Sequence, residues 1–324
     1  NSMNVFLTTL QAVLALLGIG LLGYWIIGRR RVPSDTLAFL QSLAIDIALP
    51  LLVLGNLITG FSPQAYPDWW RFPLWWLGFT IVALALSLSS SFLVRKEIRG
   101  EFTIGLLYQN GLFLPILIIE GLFGVDNSYL VPLFLFVIFH PSVIFSTYTL
   151  FFGKRIQREK LNWRRIVNPV LVATVAGIVI GLVSVNEYIP EFLITIVRMV
   201  GAITIPIIML ILGGNIYNDF MYKADDNKRK WHIPEVIKFV LIKNVVFPLV
   251  FLGLLLLLRP DLTVALIVII QAAVPPITAI PILVERCGGN RQIASQFVFA
   301  SFIFCIFSIP AVIYLFSRFF PIPF

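Results

Sequence analysis

The sequence predicts an all-α polytopic membrane protein of ten transmembrane helices. They form two inverted five-helix repeats whose fourth and ninth helices (TM4 and TM9) are broken and cross. Three observations carry this. Hydrophobic residues make up 59% of the 324 and charged residues only 12%, with a mean hydropathy of +0.96, whereas soluble domains run near about 25% charged. Basic residues alternate from one inter-span loop to the next. And two apolar segments, in equivalent places of the two halves, carry amides and prolines where a bilayer-crossing helix should be unbroken.

Ten apolar runs are long enough to cross a bilayer: Val5–Ile27, Thr36–Gly60, Phe72–Val94, Phe102–Phe123, Ser128–Phe152, Asn168–Val185, Glu191–Ile216, Pro234–Leu258, Leu262–Val284 and Gln292–Ser317. Asn1-Ser2 ahead of Met3 is set aside as a cloning remnant. The first run has neither a basic n-region nor a small-residue cleavage site, so it is expected to remain as a span. Of the 24 Lys and Arg residues, eighteen follow odd-numbered spans. They are Arg29–Arg31, Arg95, Lys96, Arg99, six between Lys154 and Arg165, four between Lys223 and Lys230, Arg286 and Arg291. Only Arg71, Arg259 and Arg318 fall on the other side. This bias makes the odd-span loops cytoplasmic and puts both termini outside a cell membrane. The net charge of +8 is thereby explained by topology, and no nucleic-acid partner is expected. Trp69, Trp70, Trp75 and Trp76 read as an interfacial anchor at the outer end of span three.

The repeat shows in Pro50-Leu51…Leu54-Gly55-Asn56 of span two against Pro206-Ile207…Leu212-Gly213-Gly214-Asn215 of span seven. Pro115 and Pro281 punctuate spans four and nine, and Pro141 and Pro310 spans five and ten. A five-span repeat has an odd number of crossings, so its second copy enters from the opposite side. Residues 1–152 form the first repeat, 153–166 a basic cytoplasmic linker and 167–324 the second repeat. No loop is long enough for a soluble domain; the longest is Tyr217–Ile233.

Paired interruptions in such halves are the best sequence pointer to a transporter's substrate site. Here they are Tyr108-Gln109-Asn110-Gly111…Pro115 and Gln271…Pro275-Pro276-Ile277-Thr278…Pro281. A broken helix exposes backbone N–H groups and about half a positive charge at its N-terminal end, so a carboxylate can be held without Arg or Lys. Gln109, Asn110, Gln271 and Thr278 add side-chain donors. Pro115, Pro275, Pro276 and Pro281 withhold donors from the helical ladder and keep the breaks open. The bland alternative, ordinary proline kinks, fits one such segment better than a matched pair.

Ionisable residues inside spans are candidates for coupling. Asp46 lies roughly 15 Å along span two, at 1.5 Å per residue; it is a proton-carrier candidate, or else a neutral packed carboxyl. His140 sits at comparable depth in span five, where imidazole suits proton coupling, or else it is a packing residue. Lys243, about nine residues into span eight, could pair with Asp46 or attract an anion. Neither a cofactor nor a metal site is expected. His140 and His232 offer no zinc set, no P-loop lysine motif is present, and Cys287 and Cys305 imply no disulfide framework. Without a Ser-His-Asp or paired-aspartate constellation the chain does not read as an enzyme.

Several of these motifs resemble the auxin efflux carrier family, which includes bacterial members and the plant PIN carriers. They are the Asn110-Gly111…Pro115 break, the Leu54-Gly55-Asn56 end of span two, and Pro275-Pro276…Glu285-Arg286-Cys287-Gly288-Gly289-Asn290 with Ala294-Ser295. The resemblance covers essentially the whole chain. It implies carriage of small organic anions such as indole-3-acetate or malonate by an elevator motion. Spans one, two, six and seven would be the scaffold and homodimer surface, and spans three to five and eight to ten the moving part. Plant PIN carriers place Asn beside the crossover proline in both halves; here the second half offers Gln271 and Thr278, which favours a bacterial-type carrier of small acids over auxin. Coupling to protons through Asp46 or His140 is one alternative to potential-driven export. Sodium coupling of the bile-acid-symporter type ranks lower because no acid stands at the crossover. A membrane ligand sensor without turnover is the alternative from another class.

Overall fold

The computed structural model describes residues 2–29, 36–124, 127–155, 167–218 and 231–322. The linker predicted at 153–166 and the charged loop before Trp231 therefore lie mostly outside the described residues, as do Arg30 and Arg31.

The described residues are helical, with one isolated backbone bridge and no strand. We label the helices α1 (Ser2–Gly28), α2 (Thr36–Gly60), α3 (Arg71–Ser91), α4 (Arg99–Leu107), α5 (Phe113–Phe123), α6 (Leu130–Phe136), α7 (His140–Thr147), α8 (Pro169–Val183), α9 (Glu191–Tyr217), α10 (Ile233–Leu258), α11 (Leu262–Ala273), α12 (Ile280–Arg286) and α13 (Arg291–Ser317). Seven stretches are long and apolar enough to cross a membrane: Phe6–Gly28, α2, α3, Leu130–Phe152, α9, α10 and α13. Three shorter apolar helices, α5, α8 and α11, accompany them.

Two of the helix pairs in extensive contact are α1 with α9 and α2 with α8. Both owe their closeness to glycine. A Cβ at Gly23 or Gly213 would overlap the facing backbone of Leu210 or Gly20, and one at Gly177 would stand 2.6 Å from Leu57 Cβ. Small residues at such crossings let backbones approach where lipid supplies no hydrophobic drive.

Contacts between loops and helix starts tie the helix ends into two groups. At one end Arg95 Nε donates to Glu235 Oε1 at 3.0 Å, Lys238 Nζ donates to the Leu93 carbonyl at 2.9 Å, the Asn290 amide donates to Glu101 Oε1 at 2.8 Å, and Arg291 pairs with Glu285. These residues belong to the loops after spans three, seven and nine or to the helix starts beside them. At the other end Tyr66 Oη donates to the Ser128 carbonyl at 2.9 Å, joining the loops after spans two and four.

Three details differ from the sequence reading. Span five is interrupted at Val137–Phe139, ahead of His140-Pro141, while Pro310 lies inside the uninterrupted α13. Trp76 is 4% exposed and packs edge-on to the His140 ring at 6.3 Å, so it belongs to the core and not to an interfacial belt. Pro115 and Pro281 do not sit in the breaks. Each occupies the first turn of the following helix, α5 or α12, where a missing N–H costs nothing because that group has no intrahelical partner anyway.

Candidate functional site

The two interruptions fall at Tyr108–Leu112, between α4 and α5, and at Val274–Ala279, between α11 and α12. A helix opened in an apolar interior leaves backbone groups that must find partners. Here the breaks satisfy each other. The Asn110 amide donates to the Pro275 carbonyl at 2.8 Å and the Ile277 amide to the Tyr108 carbonyl at 2.9 Å, so Gln109 and Pro276 form a single antiparallel bridge.

Side chains tie the crossing further. Gln109 Nε2 donates to Gln271 Oε1 at 3.2 Å, and Gln271 Nε2 donates to the Gly111 carbonyl at 2.7 Å. His140 Nε2 lies 3.0 Å from the Gln109 carbonyl. A carbonyl only accepts, so the imidazole carries its proton on Nε2 and donates. Gly111 is confined: a Cβ there would stand 3.0 Å from both Gln271 Oε1 and His140 Nε2. Gln109, Asn110, Gly111, Gln271, Pro275 and Pro276 are all buried.

Asn110 differs from the other amides. Its Oδ1 accepts from the Phe113 amide at 3.2 Å, capping α5, but its buried Nδ2 has no hydrogen-bond partner. Asn110 is 1% exposed, and an orphaned donor so deep is the sort of group a bound acceptor satisfies.

Beside the crossing lies a cavity of about 30 Å³. Phe113, Thr278, Ala279 and Ile282 face Gln41 and Ile45 of α2 and Asn215 of α9 across it. Thr278, half-buried, is thus placed at the seam between the α2/α9 group and the broken helices. Gln41 and Asn215 were not singled out as site residues. Asn215 closes the repeated Gly-Asn motif, and Gln41 lies one helical turn before Ile45, so amide placement on the cavity-facing side of each helix was the available signal.

The coupling candidates separate. Asp46 is exposed on α2 and its carboxylate accepts from Ser42 Oγ at 2.7 Å. Lys243 is 1% exposed, and its Nζ donates to the Leu106 carbonyl at 3.3 Å and sits 4.9 Å from the Phe247 ring centroid. The two do not pair, because they lie on different surfaces, one outward and one in the core.

A family model described as membrane transport protein matches residues 8–160 and again 154–313. The chain belongs to the auxin efflux carrier family of membrane transport proteins. That family is one of transporters and not of enzymes, and this member is a multi-pass membrane transporter. A comparison with curated proteins finds no match.

Proposed function

We propose that the chain is a secondary or potential-driven carrier of small organic carboxylates, bound where the two broken helices cross. The supporting observation is the orphaned Asn110 Nδ2, held at the N-terminal end of α5. That end carries positive helix-dipole charge, and an orphaned donor beside it adds a directed hydrogen bond to the same anion. Gln109 and Gln271 use their amides on each other and on Gly111; their role is to hold the crossing. Thr278, Gln41 and Asn215 line the seam through which the solute is reached.

Ten membrane passes follow when α4/α5, α6/α7 and α11/α12 each count as one interrupted pass. The contacts support two inverted repeats: α1 with α9 and α2 with α8 are the pairs an exchange of halves would interconvert. The two matched stretches of the family model overlap at 154–160, inside the proposed linker. In this reading residues 1–152 and 167–324 are the repeats and the basic linker 153–166 is cytoplasmic, with both termini outside the cell membrane. Passes one, two, six and seven form the scaffold and the homodimer surface, and the remaining six move. The seam cavity, about 30 Å³, is far below the roughly 300–1,000 Å³ of a small-molecule pocket, so admitting an organic acid requires the broken helices to shift against α2 and α9. An inside-negative potential favours export of the anion, by roughly 2.3 kcal/mol per charge per 100 mV.

The test is uptake of labelled malonate and indole-3-acetate into proteoliposomes with an imposed potential, using the wild type and Asn110→Asp. The substitution keeps an oxygen to cap Phe113 but turns the free donor into an anion. A hydrogen bond to a charged group is worth about 1.5–3 kcal/mol, so flux is expected to fall at least tenfold. Saturable flux unchanged by Asn110→Asp would refute the assignment of this donor, and no saturable flux of any carboxylate in the wild type would refute the carrier reading.

A further inference from the structure

Between α10 and α13 the surface of the bundle opens into an apolar groove of about 500 Å³, within the roughly 300–1,000 Å³ range of small-molecule sites. Ile233, Ile237 and Leu241 of α10 form one wall, Ala300 and Phe307 of α13 the other, and Trp231 stands at one end. Apart from Gln296 the lining is hydrophobic. The groove arises because the two helices are joined on their buried sides. Phe239 stacks on Phe297 with ring centroids 4.4 Å apart. Deeper in, Asn244 Nδ2 donates to the Ser301 carbonyl at 3.2 Å and Asn244 Oδ1 accepts from Ser301 Oγ at 2.6 Å. At the Trp231 end the His232 amide donates to Gln296 Oε1 at 3.0 Å, pinning the start of α10 to α13.

The length of the groove indicates what fits it. From Gln296 to Phe307 it follows α13 for about 17 Å at 1.5 Å per residue. That is about half of the roughly 30 Å hydrocarbon core, so the groove runs from one membrane face to the midplane and spans a single leaflet. Its two ends differ. The Phe307 end is apolar. Beside Trp231, Arg95 Nη2 donates to His232 Nδ1 at 3.2 Å, and in the sequence Lys228-Arg229-Lys230 immediately precede the tryptophan. Tryptophan favours the headgroup level, and a basic run beside a membrane span attracts anionic lipid. A transmembrane helix from another chain would run the full thickness of the bilayer; an acyl chain runs half of it.

We propose that this groove is a binding site for one anionic phospholipid of the leaflet on the Trp231 side, with an acyl chain lying between α10 and α13 and the phosphate beside Trp231. The proposal makes no use of the carboxylate site. It rests on the topological reading above only in calling that leaflet cytoplasmic.

The experiment uses the full chain in phosphatidylcholine bilayers and follows intrinsic tryptophan fluorescence as phosphatidylglycerol brominated in the headgroup-proximal half of its chains is added, since bromine quenches an indole that it touches. A quenching component that saturates at low mole fraction is expected, and Trp231→Phe should remove it. Each basic residue near the membrane surface changes the affinity for anionic lipid about fivefold, so brominated phosphatidylcholine should be at least about tenfold weaker. Neutralising the run by Lys228→Gln, Arg229→Gln and Lys230→Gln together should abolish that preference. Ala300→Phe, which fills the groove and keeps Trp231, should abolish the saturable component. The triple variant alters no groove side chain, so it decides the question even where Ala300→Phe fails to fold. The proposal is overturned if brominated phosphatidylcholine saturates at the same mole fraction as phosphatidylglycerol, if the component survives Trp231→Phe, or if it survives in folded Ala300→Phe. It is also overturned if Ala300→Phe turns a dimer into a monomer without any effect of lipid, which would give the groove to a second copy of the chain. Carboxylate flux enters none of these readouts, so failure of the carrier reading leaves the result intact.

Discussion

Replacing Gln271 by methionine isolates the contribution of the side-chain tie at the crossing, because methionine keeps the length and approximate volume of glutamine and removes its polar atoms. Gln271 is fully buried and makes two hydrogen bonds, one accepted from Gln109 at 3.2 Å and one donated to the Gly111 carbonyl at 2.7 Å. Each is worth about 1 kcal/mol net in a protein, and a buried group left without its partner costs about 1–3 kcal/mol more. Hydrogen bonds between membrane helices average nearer about 0.6 kcal/mol, because the unfolded chain in the bilayer also finds partners. Gln271→Met is therefore expected to destabilise the protein by about 2–4 kcal/mol. Gln109→Met, which breaks one of these side-chain bonds, should cost about 1–2 kcal/mol. A double-mutant cycle should return a coupling of about 1 kcal/mol, because the residues share that bond and the double variant leaves no orphaned partner in it. Unfolding in mixed micelles, titrated with a denaturing detergent, supplies the four free energies. A cost for Gln271→Met below about 0.5 kcal/mol, or a coupling indistinguishable from zero, would refute the claim that these amides hold the broken helices together.

Three further outcomes follow from the packing. Gly213→Ala places a methyl against the Gly20 backbone of α1 and, since overpacking costs about 1–3 kcal/mol, should lower stability by at least that much in the same titration. Asn244→Leu removes the bonds to Ser301 and leaves the Ser301 hydroxyl buried without its acceptor; a loss of about 2 kcal/mol is expected, and Ser301→Ala should recover part of it. By contrast Arg71→Ala breaks an ion pair with Asp68 whose two side chains are 57% and 60% exposed. Exposed pairs contribute about 0–1 kcal/mol, so the midpoint should hardly move, and a large shift would show that the Arg71–Asp68 contact does more than join neighbouring turns.

Much of the architecture was legible because a bilayer imposes long-range order on local composition. Apolar length marks α1, α2, α3, α9, α10 and α13 directly, since each must satisfy its own backbone and meet lipid. The same reasoning located both interruptions to within a few residues, because Gln109-Asn110-Gly111 and Pro275-Pro276 are costly inside a lipid-facing helix. It failed where the decisive fact was a register or a neighbour. The Pro141 and Pro310 positions look equivalent in sequence, yet span five opens at Val137–Phe139 while α13 runs through Pro310. Trp76 shares its aromatic cluster with Trp70, but helical phase turns one ring into the core at 4% exposure and leaves the other half exposed.

Sequence alone thus determined that this chain is a polytopic membrane protein with two polar breaks, because hydrophobic length and helix-breaking chemistry are properties of consecutive residues. Tertiary structure decided what those breaks do. Residues 137 or more positions apart had to meet before Asn110 could donate to Pro275, Gln271 to Gly111 and Lys243 to Leu106, while Asp46 was set outward. The physical reason is that a buried polar group is defined by its partner, and partners contributed by other helices are fixed by packing in three dimensions and not by order along the chain.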